Sequence, residues 1–146
     1  MLLSKNQFFG ILLAILLTPF LVYRLMWIAG SSSTTGKMRF MGKTISGQIT
    51  SVYPVISFYS GADTVWFNGE GDNEMQPGDQ VPVRYQKSDA HDARINTFIG
   101  IWMDIIIIAG VPSLMLLLIY LHRGIFPAGT MFLIGKRPFL QVVQEA

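Results

Sequence analysis

The chain has 146 residues, 51% hydrophobic and only 14% charged, with a formal net charge of +2, whereas soluble domains carry charge on roughly a quarter of their residues. A chain this apolar needs lipid or a partner to cover it, and its scattered Lys and Arg lack the clustered basic footprint of a nucleic-acid binder. The absence of cysteine excludes disulfides, thiolate metal sites and thiol nucleophiles.

Residues 1–7 form a short start with Lys5 as its cation, expected in the cytoplasm. Residues 8–29 follow as a first transmembrane helix. The stretch Phe8–Ile28, "FFGILLAILLTPFLVYRLMWI", carries one charge, Arg24. About 20 apolar residues in a helix cross the roughly 30 Å hydrocarbon core. A cleaved signal peptide is the competing assignment, with small residues at "IAGSSS". The apolar run is longer than a signal core, and Arg24 sits badly before a cleavage site, so an uncleaved anchor is expected. Pro19 should kink this helix.

Residues 30–97 are expected as an extracytoplasmic β-domain. "SSSTTG", residues 31–36, has the composition of a flexible leader. "KTISGQITSVY" and "PVISFYS", a turn at "GAD", "TVWFN", a turn at "QPGDQ" and "VPVRYQ" then predict four short antiparallel strands. In the last, Val81, Val83 and Tyr85 alternate with Pro82, Arg84 and Gln86, and proline suggests an edge position. A small antiparallel sheet or partial barrel fits this pattern. Its core is thin, so packing on a membrane or partner would help it.

Residues 98–121, "FIGIWMDIIIIAGVPSLMLLLIYL", predict the second transmembrane helix, with Asp104 as its one charge and Pro112 inside it. Neither apolar segment carries a polar stripe. The fold class expected is therefore membrane α+β, two transmembrane helices flanking the small sheet. The tail, 122–146, has short apolar pieces broken by Gly and Pro. It is expected in the cytoplasm, adsorbed at a membrane surface through Lys136, Arg137 and Phe139 or docked on a partner.

Arg24 lies three residues deeper than Trp27, and Asp104 two deeper than Trp102. In antiparallel helices these depths match, and intramembrane charges generally find partners. An Arg24–Asp104 ion pair is the expectation, against Arg24 snorkelling alone. Trp27, Trp102 and Arg94 are expected as interfacial anchors, with Arg94 fixing the domain on the helix as its second reading. Tyr120 with His122 and Arg123 marks the opposite interface. The basic, acid-poor outer flanks place both termini in the cytoplasm, because a central region longer than about 60 residues translocates largely regardless of its charge.

The order "SGQITSVYPVISFYSGADTVWF", "PGDQVPVRY" and "ARINTFIGIW" resembles a widespread bacterial family of uncharacterised two-transmembrane proteins. The resemblance covers roughly residues 43–121. It implies the same topology, in the bacterial inner membrane, and brings no activity. The family's usual Tyr-Asp-Pro exit from the tyrosine strand reads Tyr85-Gln86-Lys87 here, which implies a different turn.

Two clusters carry potential chemistry. Glu70, Asp72 and Glu74 alternate on a glycine-bearing loop, a carboxylate set that could attract a hard cation. The spacing is not that of an EF-hand, and a solvated hairpin loop is the simpler expectation. His91 lies between Asp89 and Asp92, a His–carboxylate arrangement of the kind a general base uses. No nucleophile elbow or second loop histidine accompanies it, and Asp and Ser there form turns. No enzyme, cofactor or metal is expected. The function expected is a non-enzymatic membrane protein that presents its β-domain for protein interaction, as an accessory subunit of an envelope complex. The alternative is a protective, immunity-type protein that binds a toxin or hydrolase. The partners expected are the lipid bilayer and an unidentified protein, with self-association into a homo-oligomer open and nucleic acid excluded.

Overall fold

A computed structural model describes residues 1–70, 75–135 and 138–144. Two long apolar helices, α1 (Lys5–Gly30) and α2 (Phe98–Leu121), and two antiparallel sheets make an α+β fold. Both helices are long and apolar enough, by length and composition, to cross a membrane. α1 begins at Lys5 rather than Phe8, because Ser4 supplies a side-chain start. The Ser4 hydroxyl accepts from the Gln7 amide at 3.3 Å and the Gln7 side chain accepts from the Ser4 amide at 3.0 Å, a reciprocal cap. The chain divides into two compact units, residues 24–104 and residues 1–23 with 105–146.

In the unit of residues 24–104 the strands are β2 (Ser31–Ser46), β3 (Ile49–Ser60), β4 (Asp63–Asn68), β5 (Gln80–Gln86) and β6 (Ala93–Ile95). They form one antiparallel sheet in the order β4-β3-β2-β5-β6. One face buries Met38, Ile56, Phe58, Val65, Phe67, Val81, Val83 and Ile95. Val81 and Val83 are buried while Pro82 is exposed, as the alternation in "VPVRYQ" requires.

Three expectations change here. Residues 31–36 are not a leader; they form the first half of β2 and pair from Ser31↔Gln86 to Gly36↔Val81. Small residues are needed there, since a Cβ on Gly36 would lie 2.8 Å from Val83 Cγ2 and 2.9 Å from Ile56 Cγ2. Five strands replace the expected four: residues 43–53 are not one strand but turn back at Gly47 and Gln48, β3 runs unbroken from Ile49 through Pro54 to Ser60, and β6, only three residues long, is added. Pro82 is in an internal strand, paired with Thr35. Its carbonyl accepts from the Asn96 amide at 2.7 Å just past the end of β6. A residue's amide and carbonyl share one flank of a strand, so the donor that proline lacks falls where the neighbouring strand runs out.

β2 and β3 continue past their neighbours. β5 pairs with β2 only as far as Lys37, and β4 pairs with β3 only from Val55. Residues 41–54 are therefore a two-stranded arm, closed by Gly47 (φ 60°) and Gln48. The positive φ at the first central position marks a turn that favours glycine and matches the strand twist.

In the unit of residues 1–23 and 105–146, β1 (Leu2–Ser4), β7 (Thr130–Ile134) and β8 (Leu140–Gln144) form a three-stranded antiparallel sheet in the order β1-β7-β8. The short apolar pieces of the tail thus form two strands, β7 and β8, which the sequence reading did not assign. Phe8 stacks on Phe132 with centroids 3.9 Å apart, and Leu3, Phe9 and Phe132 are buried together. Lys5 Nζ donates to the Phe126 carbonyl at 2.6 Å, and Tyr120 Oη to Asn6 Oδ1 at 2.9 Å. Phe139 is exposed, while Lys136 and Arg137 lie outside the described residues.

Candidate functional site

The last turns of α1 place Arg24, Trp27 and Ile28 at helical spacing, so these residues share one face. The Arg24 side chain has no exposed surface. Its Nη2 donates to both carboxylate oxygens of Asp104, at 2.7 Å to Oδ1 and 2.6 Å to Oδ2. Asp104 also accepts Arg94 Nη1 at 3.1 Å. One carboxylate thus bridges a guanidinium from the end of α1 and another from β6.

Trp27 completes the cluster. It is buried, with its ring centroid 5.5 Å from the Arg24 guanidinium carbon and 5.6 Å from that of Arg94. Each cation meets the ring within the range of cation–π attraction. The indole Nε1 donates to Asp92 Oδ2 at 2.7 Å. Two guanidinium groups and two carboxylates make the group neutral overall. Burying charge is expensive, and mutual compensation of this kind is what permits it.

The carbonyls at the end of α1 are orphans of the helix and need donors. The Gln86 side-chain amide reaches the Trp27 carbonyl at 2.5 Å, the Ser31 hydroxyl the Ile28 carbonyl at 2.7 Å, and the Lys87 amide the Gly30 carbonyl at 3.4 Å. Arg84 supports them through Nη1 to Ser31 Oγ at 3.0 Å and Nε to Asn96 Oδ1 at 3.1 Å. At the start of α2, Thr97 Oγ1 accepts from the Gly100 amide at 3.1 Å as an N-cap. A Cβ on Gly100 would collide with the Ile95 carbonyl oxygen, so only glycine lets the first turn of α2 lie against the end of β6. The result is a polar staple joining both helix ends to the sheet.

The structure brings Arg24, Asp104, Arg94 and Trp27 together. Arg94 meets Asp104, a contact of the kind its second reading describes, and Trp27 meets Asp92, a protein partner that its reading as an interfacial anchor did not include. Trp102 is half-buried, and its side chain makes no hydrogen bond or ring contact among the described residues. Asp92, Gln86, Arg84 and Thr97 escaped the sequence reading. Thr97 was discoverable as an N-cap residue directly before an apolar run. The roles of Arg84 and Gln86 depend on strand register, and Asp92 reads as one more turn former.

Beside the staple lies a polar cavity of about 120 Å³, lined in part by Asn68, Glu70, His91, Asp92 and Arg94. His91 is exposed; its backbone amide donates to Asp89 Oδ1 at 3.0 Å, and its ring makes no hydrogen bond to Asp89 or Asp92. The loop is built as turns, with the Asp92 amide on the Asp89 carbonyl at 3.1 Å and the Ala93 amide on the His91 carbonyl at 3.0 Å. Of the acidic loop, Glu70 is exposed, and Asp72 and Glu74 lie outside the described residues. Among the described residues no three His, Asp or Glu side chains converge as a metal-binding group.

No family model matches the chain, and neither curated proteins nor solved structures give a match.

Proposed function

We propose that this chain is an integral protein of the bacterial inner membrane that crosses it twice, keeps both termini in the cytoplasm and presents residues 30–97 to a protein partner in the envelope. Two helices long and apolar enough to cross a bilayer support the membrane placement. The staple suits such a role, because a domain braced internally by ion pairs and hydrogen bonds is preorganised and loses little freedom on binding.

The observation that carries the reading is the arm of residues 41–54. Ile45 and Ile49 are 67% and 70% exposed, and Val52 is also exposed. A two-stranded hairpin alone is marginally stable in water, and an apolar one invites a covering surface. A photo-crosslinking residue in place of Gln48, at the tip, tests this in native envelopes. A discrete protein adduct is expected there. It should be lost in Ile45→Glu with Ile49→Glu and absent from the same probe at Asp89, an exposed turn position. Adducts to lipid only, or equal labelling from both positions, would sink the proposal.

A further inference from the structure

The ladder between β2 and β3 has one irregularity. Met38 pairs with Ile56 and Phe40 with Val55, leaving Arg39 as an extra residue in a β-bulge. A regular strand would send Arg39 and Phe40 to opposite faces. The bulge instead brings both to the outer face of the sheet, opposite the core. Arg39 Nε donates to Ser57 Oγ at 2.6 Å, its guanidinium carbon lies 5.7 Å from the Trp66 ring centroid, and the Phe40 and Trp66 centroids are 6.4 Å apart. Bulges recur where a strand must re-aim side chains at a site.

The surrounding surface has a consistent chemistry. Phe40, Trp66 and Tyr59 are 52%, 49% and 68% exposed. Where β3 parts from β2, beyond the Lys37↔Ser57 pair, a wedge-shaped cleft of about 430 Å³ opens. Its lining includes Lys37, Arg39, Thr35, Ser57, Tyr59 and Gln80, with no carboxylate. Among the described residues Arg39 hydrogen-bonds through Nε alone, to Ser57, which leaves the four donors of its terminal nitrogens for a ligand. That planar fork matches a carboxylate bidentately.

We propose that this face, centred on the bulged pair Arg39–Phe40, binds an acidic polysaccharide of the uronic-acid type. The carboxylate sits on Arg39 with Lys37 beside it, and a sugar ring lies on Trp66. The hydroxyl and amide groups of Thr35, Tyr59 and Gln80 suit a polyol, since each both donates and accepts. A cleft closed at one end by the β2–β3 ladder admits a chain end rather than a through-running peptide strand. An anionic lipid surface would be met by aliphatic side chains, and the cleft lining offers none. The proposal goes beyond the protein-presenting role, uses a different surface from the arm tip, and stands or falls without it.

The test is isothermal titration of the full-length protein in detergent at low salt with a hexamer of galacturonic acid. Maltohexaose, poly-glutamate and vesicles containing anionic lipid serve as controls. Binding of the acidic hexamer alone is expected. Arg39→Gln and Trp66→Ala should each weaken it about tenfold or more, given that a charge-assisted bidentate contact or a stacking platform is removed. Arg39→Lys keeps the charge but loses the fork, and an intermediate loss is expected; Trp66→Phe should retain most of the affinity. The thermal midpoint of each variant is recorded alongside, and a folded variant whose affinity falls while its midpoint stays well above the titration temperature locates the loss at the binding face. Failure of the wild-type protein to bind the hexamer overturns the proposal. So does equal binding of maltohexaose, poly-glutamate or vesicles, or indifference to both Arg39→Gln and Trp66→Ala.

Discussion

At the scale of single residues, Asp104 holds the staple together. It bonds Arg24 from α1 and Arg94 from β6 through one carboxylate. Deleting one member of a buried ion pair costs about 3–5 kcal/mol, mainly because the other charge stays behind. Asp104 is about 30% exposed, so water screens part of this and the lower end of that range applies. Arg24→Ala and Asp104→Ala should each lower the unfolding midpoint in detergent, and Asp104→Ala should lower it more, because it strips two guanidinium groups at once. The double variant should recover part of the loss. Strict additivity in the double-mutant cycle would mean that the two residues contribute independently, despite their 2.6 Å separation. The sequence supplied this pair through an argument from depth alone. It could not supply azimuth, so Arg94 as a second ligand of Asp104 and Asp92 as the acceptor for Trp27 were beyond its reach.

At the scale of elements, legibility followed the strength of the periodic signal. α2 spans Phe98–Leu121, the same bounds that hydropathy gave, because a long apolar run bounded by Thr97 and His122 leaves little choice. The period-two pattern of β5 was equally plain. β2 was half hidden, since Ser, Thr and Gly in residues 31–36 have the composition of a linker. Their smallness is instead steric: Gly36 sits on the core face between Val83 and Ile56. β1 and β6, three residues each, are too short to carry a period, and the bulge at Arg39 breaks the alternation that would have located it. A comparison of neighbours tests this account of β2. Gly36→Val must displace Val83 and Ile56, and overpacking of that kind costs about 1–3 kcal/mol. Thr35→Val, one residue away and exposed on the other face, should change stability by less than about 0.5 kcal/mol. Chemical unfolding of the two variants in the same detergent reads the difference. A genuinely flexible leader would tolerate both equally.

At the scale of the whole molecule, the proposed topology rests on an asymmetry of length rather than of charge. The outer segments carry Lys5, Arg123, Lys136 and Arg137, and the central one carries Lys37, Arg39, Lys43, Arg84, Lys87 and Arg94. Counting alone favours neither side. Charge governs retention only in short loops near a span, however, and longer segments translocate largely regardless of it. Lys5, at the very start of α1, and Arg123, just past the end of α2, are therefore the residues expected to set orientation. The cysteine-free sequence makes this directly measurable, because any introduced thiol is unique. Gln48→Cys lies at the tip of the arm, and Ala128→Cys is exposed between α2 and β7. In intact spheroplasts a membrane-impermeant maleimide should label Gln48→Cys, and Ala128→Cys should react only after permeabilisation. The opposite pattern would invert the topology. Labelling of both in intact cells would mean that one apolar helix does not span. Replacing Lys5 and Arg123 together with Glu should convert part of the population to the inverted pattern. The same double change at Lys43 and Lys87, within the long central segment, should leave the labelling as it was.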